Sequence, residues 1–178
     1  MGAELDIPMA EALYTAVSTD SGCFRYANTT ADTLRVAAAC KEAGADTFAI
    51  NQALFETSSL ARLKVQAYLL ENAIFLQEGK IAVCALPKAV EEACGANEDD
   101  LDNISGFPRS IEGVKLAVTI RDEGENKVKM SVRAVPCCDA SAICAKFGGG
   151  GHKGAAGASM MMTMAEAIKA VIAELPIV

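Results

Sequence analysis

Residues 114–134, VKLAVTIRDEGENKVKMSVRA, constrain the fold more tightly than any other stretch of the chain. In its second half Val128, Met130 and Val132 alternate strictly with Lys127, Lys129, Ser131 and Arg133. A period of two places the apolar set on one face of a strand and the polar set on the other, which no helix can do. The polar, glycine-containing middle turns the chain back, so the stretch reads as an antiparallel hairpin. Whatever surrounds it must cover one face of a sheet. The other face carries cations and hydroxyls.

The remaining elements follow from capping residues and periodicity. Residues 1–56 read as helices: an apolar segment ending near Ser18-Thr19-Asp20, a second helix capped by Thr30 with Gly44 after its end, and a third capped by Asp46. A further helix opens at Ser58-Ser59, with Leu60, Leu63, Ala67, Leu70 and Ile74 spaced as one buried stripe. Then the period changes. Residues 73–86 read as two strands around Glu78-Gly79, Pro87 starts a short helix stopped by Gly95, and Asn97 precedes an acidic helix start. Asp139 caps a short helix, ASMMM (158–162) reads as a buried strand, and Thr163 with Glu166 forms a capping box for a last helix carrying Met164, Ile168, Val171 and Leu175. The fold class is α+β: a helical N-terminal segment (1–56), then a small mixed β-sheet domain with packed helices (57–178).

With 52% apolar residues the chain can build a real core, yet no apolar run approaches the length that spans a bilayer. The N-terminus lacks a basic region followed by an apolar one, and Met1-Gly2 is a poor myristoylation cue because Asp6 stands where Ser or Thr is expected. No membrane association is expected, and the expected location is the cytoplasm. The seven cysteines form no CxxC pair and read as reduced, mostly buried thiols. A net charge of −7 opposes binding of long nucleic acid, which depends on phosphate neutralisation. Any phosphate ligand should therefore be small and held in a local basic pocket.

AKFGGGGHKGAAG (145–157) offers such a pocket. Gly148 suits the left-handed position after a helix, but Gly149, Gly150 and Gly151 remain unexplained by that role. Side-chain-free backbone can turn several amides toward an anion, with His152 and Lys153 adding a hydrogen bond and a charge. The alternative is a flexible crossover with a surface histidine. Arg109 and Ser110, in GFPRSIEG, and Ser131 and Arg133 on the hairpin's polar face could fill out a phosphate site, or be ordinary solvated groups. Asp20, at a helix end before a Ser-Gly turn, is either a turn former or a carboxylate held ready for a metal.

The segments 19–30 (TDSGCFRYANTT), 107–118 (FPRSIEGVKLAV) and 146–157 (KFGGGGHKGAAG) together resemble the DHH-type phosphoesterases, nearest the branch of bifunctional oligoribonucleases and 3′-phosphoadenosine-5′-phosphate phosphatases. The resemblance runs over about residues 7–175. The glycine segment alone also resembles the single-strand exonuclease branch and the C-terminal region of alanyl-tRNA synthetases. The family implies a catalytic domain holding two Mn²⁺ ions and a smaller substrate-binding domain. By that resemblance Asp20 matches a metal-binding aspartate, while Arg109, Ser110, Ser131, Arg133, Gly148, Gly149, Gly150, Gly151, His152 and Lys153 match positions that grip substrate. The Asp-His-His motif is absent, and His152 is the only histidine. The expectation is the end of a catalytic domain joined to a substrate domain, inactive alone and binding no Mn²⁺ by itself. Its expected ligand is a short oligoribonucleotide or nucleotide bisphosphate, with self-association or a partner carrying the missing motifs. A stand-alone nucleotide-binding or regulatory module, or a piece of a single-strand exonuclease, is the alternative.

Overall fold

The computed structural model describes residues 5–178; Met1 and Gly2, and with them the myristoylation cue, lie outside the described residues. The chain divides after Ser58 into two compact units.

The first unit is helical: α1 (Ile7–Asp20), α2 (Ala31–Glu42) and α3 (Thr47–Asn51), which runs into a π-helical turn at Gln52–Glu56. Asp6, Thr30 and Asp46 each accept a hydrogen bond from an amide three residues on, satisfying donors that an uncapped helix start leaves open. Ala10, Tyr14, Cys40 and Ala45 form its small core, with Phe24 against the Tyr14 ring.

The second unit holds α4 (Leu60–Glu71), β1 (Ile74–Leu76), β2 (Ile81–Leu86), α5 (Lys88–Cys94), α6 (Glu98–Leu101), β3 (Leu116–Gly124), β4 (Lys127–Ala134), α7 (Ala140–Ala145), β5 (Gly150–His152), β6 (Ala155–Met161) and α8 (Met164–Glu174). Short 3₁₀ turns at Ile104–Gly106 and Pro108–Ser110 lead into β3. The six strands form one sheet in the order β1-β2-β3-β4-β6-β5, with β2 and β3 parallel and every other pair antiparallel. The mixed sheet read from the sequence is thus present, and β3–β4 is its hairpin.

The period-two pattern decides the layers. Val118, Ile120, Val128, Met130, Val132, Ala156, Ala158 and Met160 face α7 and α8, where Ile143, Cys144, Ala167 and Val171 complete the main core. On the opposite face a smaller cluster of Val65, Leu69, Cys84, Leu86, Leu101 and Ile104 seats α4 and the α6 region over β2. Strand β2 is covered on both sides, as its nearly unbroken apolar run Ile81–Leu86 requires. Most of the polar face of β4, β6 and β5 has no such cover.

Two sequence expectations are corrected. The stripe expected to be buried on α4 is exposed: Leu60 is 68% exposed and Leu63 49%, while Val65 and Leu69 are fully buried. Arg62 fixes the rotation, donating to the carbonyls of Asp100 (3.0 Å) and Asp102 (2.7 Å), and it shares a helix face with Val65 and Leu69. The segment ASMMM lies mostly on a strand buried on one face only, since Ser159 and Met161 point outward. All seven cysteines are free; Cys40, Cys84, Cys138 and Cys144 are buried and Cys137 is exposed. Burial pushes the Cys84 and Cys144 thiols up to about 11.

Candidate functional site

Directly opposed residues of antiparallel strands share a face, so the register lays out the open side of the sheet row by row. One row runs Thr119–Ser131–Gly157–Gly150 across β3, β4, β6 and β5. The next runs Ala117–Arg133–Ala155–His152, and on the other side Arg121, Lys129 and Ser159 align. Ser131, Arg133 and His152, far apart in sequence, are therefore brought onto one face with two glycines between them. Bare backbone at Gly150 and Gly157 leaves the middle of that face low.

A cavity of about 550 Å³ opens beside these rows. Its floor is Thr119, Arg121, Lys129, Ser131 and Arg133, and its wall is Glu98 with the segment 101–105. Residue types favour that wall locally: Asn97 caps α6, accepting from the Asp99 and Asp100 amides, and Asn103 tolerates the left-handed φ of 52° that turns the chain over the sheet.

Charge divides the cavity. Arg121 is fully engaged: Nε and Nη2 donate to Glu91 at 3.0 and 3.1 Å, while Nη1 and Nη2 donate to Glu98 at 3.0 and 2.6 Å. Burial pushes the Glu91 carboxyl up, but hydrogen bonds from Arg121 and Lys88 outweigh it and hold Glu91 below the usual carboxylate range. The hydrogen bond from Arg121 also holds Glu98 low. Among the described residues no carboxylate pairs with Lys129 or Arg133. These two are the cations open to an anionic ligand. Lys129 carried a signal, since it shares the period-two register of Ser131 and Arg133; Thr119 lies opposite Ser131 on β3. The Arg121 network and the wall at 101–105 carried none.

Other expected site residues are placed differently. Arg109 and Ser110 sit exposed on the 3₁₀ turn Pro108–Ser110 and do not line the cavity; Ser110 Oγ donates back to the Phe107 carbonyl at 2.7 Å. The picture of four glycine amides converging on an anion is corrected for two of them. The Gly148 amide donates to the Ala145 carbonyl (3.1 Å) and the Gly149 amide to Cys144 (2.9 Å), so both close the end of α7. Close approach explains the run better. A Cβ at Gly149 would run into the Gly157 carbonyl and Ala158, and one at Gly151, which also has a φ of 146°, would meet the Ala155 carbonyl at 2.7 Å. Gly148 and Gly150 both have open space where a Cβ would stand, but Gly148 is held at a left-handed φ of 73°, and only Gly150 is free of both constraints. Lys153 lies exposed in the turn between β5 and β6, its carbonyl accepting from the Ala140 amide at 2.8 Å.

Asp20 belongs to the first unit. It ends α1 in front of three successive left-handed residues, Gly22, Cys23 and Phe24, a costly arrangement for the latter two. The buried Ser21 holds the turn, its hydroxyl donating to the Val17 carbonyl at 2.7 Å and accepting from the Phe24 amide at 3.0 Å. Asp20 itself is exposed, and its Oδ2 accepts from Asn28 at 3.1 Å. The donors present do not fit a divalent-metal centre: among the described residues no group of three or more His, Cys, Asp or Glu could hold an ion.

An α+β domain whose mixed sheet leaves one polar, cation-bearing face largely open is the class these features define. Residues 79–175 match the DHHA1 domain family, and the chain belongs to it. It is similar to the bifunctional oligoribonuclease and PAP phosphatase NrnA of Thermus thermophilus, 37% identical over 161 residues that cover 90% of this chain and 47% of that protein. The protein of the same name from Mycoplasma genitalium is 29% identical over 149 residues, covering 84% of this chain and 45% of its own. A solved exopolyphosphatase-related protein from Bacteroides fragilis superposes with a TM-score of 0.86 at 27% identity, covering 95% of this chain and 50% of that one. The chain spans about half the length of the curated relatives it matches, corresponding to their C-terminal part.

Proposed function

We propose that this chain supplies the substrate-gripping part of a phosphoesterase acting on short oligoribonucleotides or adenosine 3′,5′-bisphosphate. The observation that carries the reading is the register that sets Ser131, Arg133 and His152 on one sheet face around Gly150 and Gly157. A guanidinium fork matches two phosphate oxygens, a hydroxyl and an imidazole add directional hydrogen bonds, and glycine lets a phosphate approach the main chain. The ligand class is supported by the oligoribonuclease and PAP phosphatase named among the relatives. A net charge of −7 favours a short ligand over a long one.

The chain alone turns over neither ligand in this reading. Asp20 is a single exposed carboxylate whose partner is an amide, and His152 is the only imidazole the chain has to offer a metal. The test is calorimetry with a diribonucleotide and with adenosine 3′,5′-bisphosphate, beside a turnover assay with added Mn²⁺. Wild type should bind without turnover, and Arg133→Ala should weaken binding by at least tenfold, the scale of a charge-assisted hydrogen bond of about 1.5–3 kcal/mol. Equal binding by wild type and Arg133→Ala overturns the grip; Mn²⁺-dependent turnover overturns the inactivity.

A further inference from the structure

Cys137 and Cys138 lie in the turn between β4 and α7, with Cys138 packed into the main core on the covered side of the sheet. Cys137 is exposed and Cys138 buried, and their sulfurs stand 3.8 Å apart, close enough to share a thiol hydrogen. Two thiols in contact differ chemically from scattered ones. A thiolate that has attacked a disulfide then has a second thiol beside it to finish the exchange.

The pair opens onto a second cavity of about 230 Å³, lined also by Ala142, Ile143, Pro176 and Ile177. This is smaller than the ~300–1,000 Å³ of most ligand pockets, so it admits only a small molecule. The charged groups on its rim are engaged: Lys146 pairs with Glu174 at 2.9 Å, and Asp139 accepts from the Ala142 amide at 3.0 Å. A small uncharged molecule suits it best. Exposure makes Cys137 the thiol that reacts first. Burial, and then the hydrogen bond with Cys137, pushes the Cys138 thiol above its ordinary value, which keeps it protonated until Cys137 has reacted. Once Cys137 is capped, that hydrogen bond and the repulsion of its thiolate are gone, while the Lys115 cation still favours ionisation of Cys138.

We propose that Cys137 and Cys138 form a reversible thiol–disulfide exchange site for a small uncharged organic disulfide, RSSR. The Cys137 thiolate attacks one sulfur, forming Cys137–S–SR, and the expelled RS⁻ takes up the proton Cys137 lost. Cys138 then gives up its proton and attacks the Cys137 sulfur. The bond to SR breaks, and the second RS⁻ leaves with that proton. Two protein thiols are oxidised to one disulfide while RSSR is reduced to two RSH. Geometry makes the link labile. Adjacent Cα atoms stand about 3.8 Å apart, short of the ~4.4–6.8 Å usual in a disulfide, so the turn must distort. A cross-link between neighbours also closes no loop whose entropy would offset that strain. Strained, exposed disulfides are readily reduced, which is the behaviour of a switch and not of a staple. The distortion falls on the start of α7, where the Cys138 amide donates to the Val135 carbonyl at 2.9 Å and the Ala140 amide to Lys153 at 2.8 Å. The second of these bonds ties α7 to the turn between β5 and β6, next to His152.

The experiment treats the reduced full chain with hydroxyethyl disulfide and follows intact mass and peptide map by mass spectrometry; no nucleotide is needed, so it stands apart from the phosphate grip. Cys137 should react first, and the product should be two hydrogens lighter than the starting chain, with 137 and 138 linked and dithiothreitol restoring the original mass under native conditions. Cys138→Ala should instead retain the hydroxyethylthio group on Cys137. A wild-type chain that keeps the adduct on Cys137, reacts first at the half-buried Cys23 or Cys94, resists dithiothreitol once linked or does not react at all overturns the proposal, with no variant required. Loss of the adduct from Cys138→Ala overturns the part given to Cys138.

Discussion

Alanine placed at neighbouring glycines separates packing from ligand approach. At Gly149 a new Cβ would be driven into the Gly157 carbonyl and Ala158, so β5 must move off β6 or the end of α7 must yield. Overpacking of this kind costs about 1–3 kcal/mol. At roughly 2–4 °C per kcal/mol for a chain of this size, Gly149→Ala should melt on the order of 2–12 °C below wild type. Gly150 is not left-handed, and nothing stands within 4 Å of where its Cβ would be. Gly150→Ala should therefore keep or slightly raise the melting temperature, by restricting the unfolded chain by about 0.4–1 kcal/mol. Yet that methyl would stand on the Ser131–Gly157–Gly150 row where the phosphate is to approach, so diribonucleotide affinity should drop. Circular dichroism melts and calorimetry read the two effects. A Gly149→Ala protein as stable as wild type would refute the close-packing account, and a Gly150→Ala protein that binds normally would refute the approach.

The ion network behind the cavity gives a pH-dependent prediction. Glu91→Gln removes the buried charge shared by Arg121 and Lys88, and should cost about 2 kcal/mol at pH 7, less than the ~3–5 kcal/mol of a fully broken buried pair because Arg121 keeps Glu98. Because the folded-state pKa of Glu91 is lowered, its contribution is fully present above the unfolded value of about 4.3 and is lost as pH falls through the folded value. Urea unfolding followed by circular dichroism, since the chain has no tryptophan, should show wild type and Glu91→Gln separated at pH 7 and converging in acid. Among the cysteines, Cys137 should be alkylated first at pH 8, with Cys84 and Cys144, whose thiols stand near 11, modified only on unfolding. Mass spectrometry of the labelled peptides tests that order.

Local chemistry made the elements legible. The alternation of β4 and the caps at Thr30, Asp46, Ser59, Asn97, Asp139 and Thr163 name their own strand and helices before any tertiary contact forms. What depends on a neighbour was not legible. Leu60, Leu63 and Leu70 make as good a stripe on α4 as Val65 and Leu69 do, and the choice falls to Arg62 and the carbonyls it reaches. The glycine run is ambiguous for the same reason. Helix closure, close packing and anion binding all ask for glycine, and only the register against β6 assigns Gly149 and Gly151 to packing and Gly150 to the open face. Ser131, Arg133 and His152 are distributed over two strands whose pairing to β6 no local pattern records. Thr119 looks like any strand threonine until its hydroxyl is found without a partner.

The most direct measurement is an amide chemical-shift map of the chain titrated with a diribonucleotide. Binding on the open sheet face predicts the largest shifts at Thr119, Ser131, Arg133, Gly150, His152 and Gly157. Shifts confined to α7 and α8, or none at all at millimolar ligand, would contradict it.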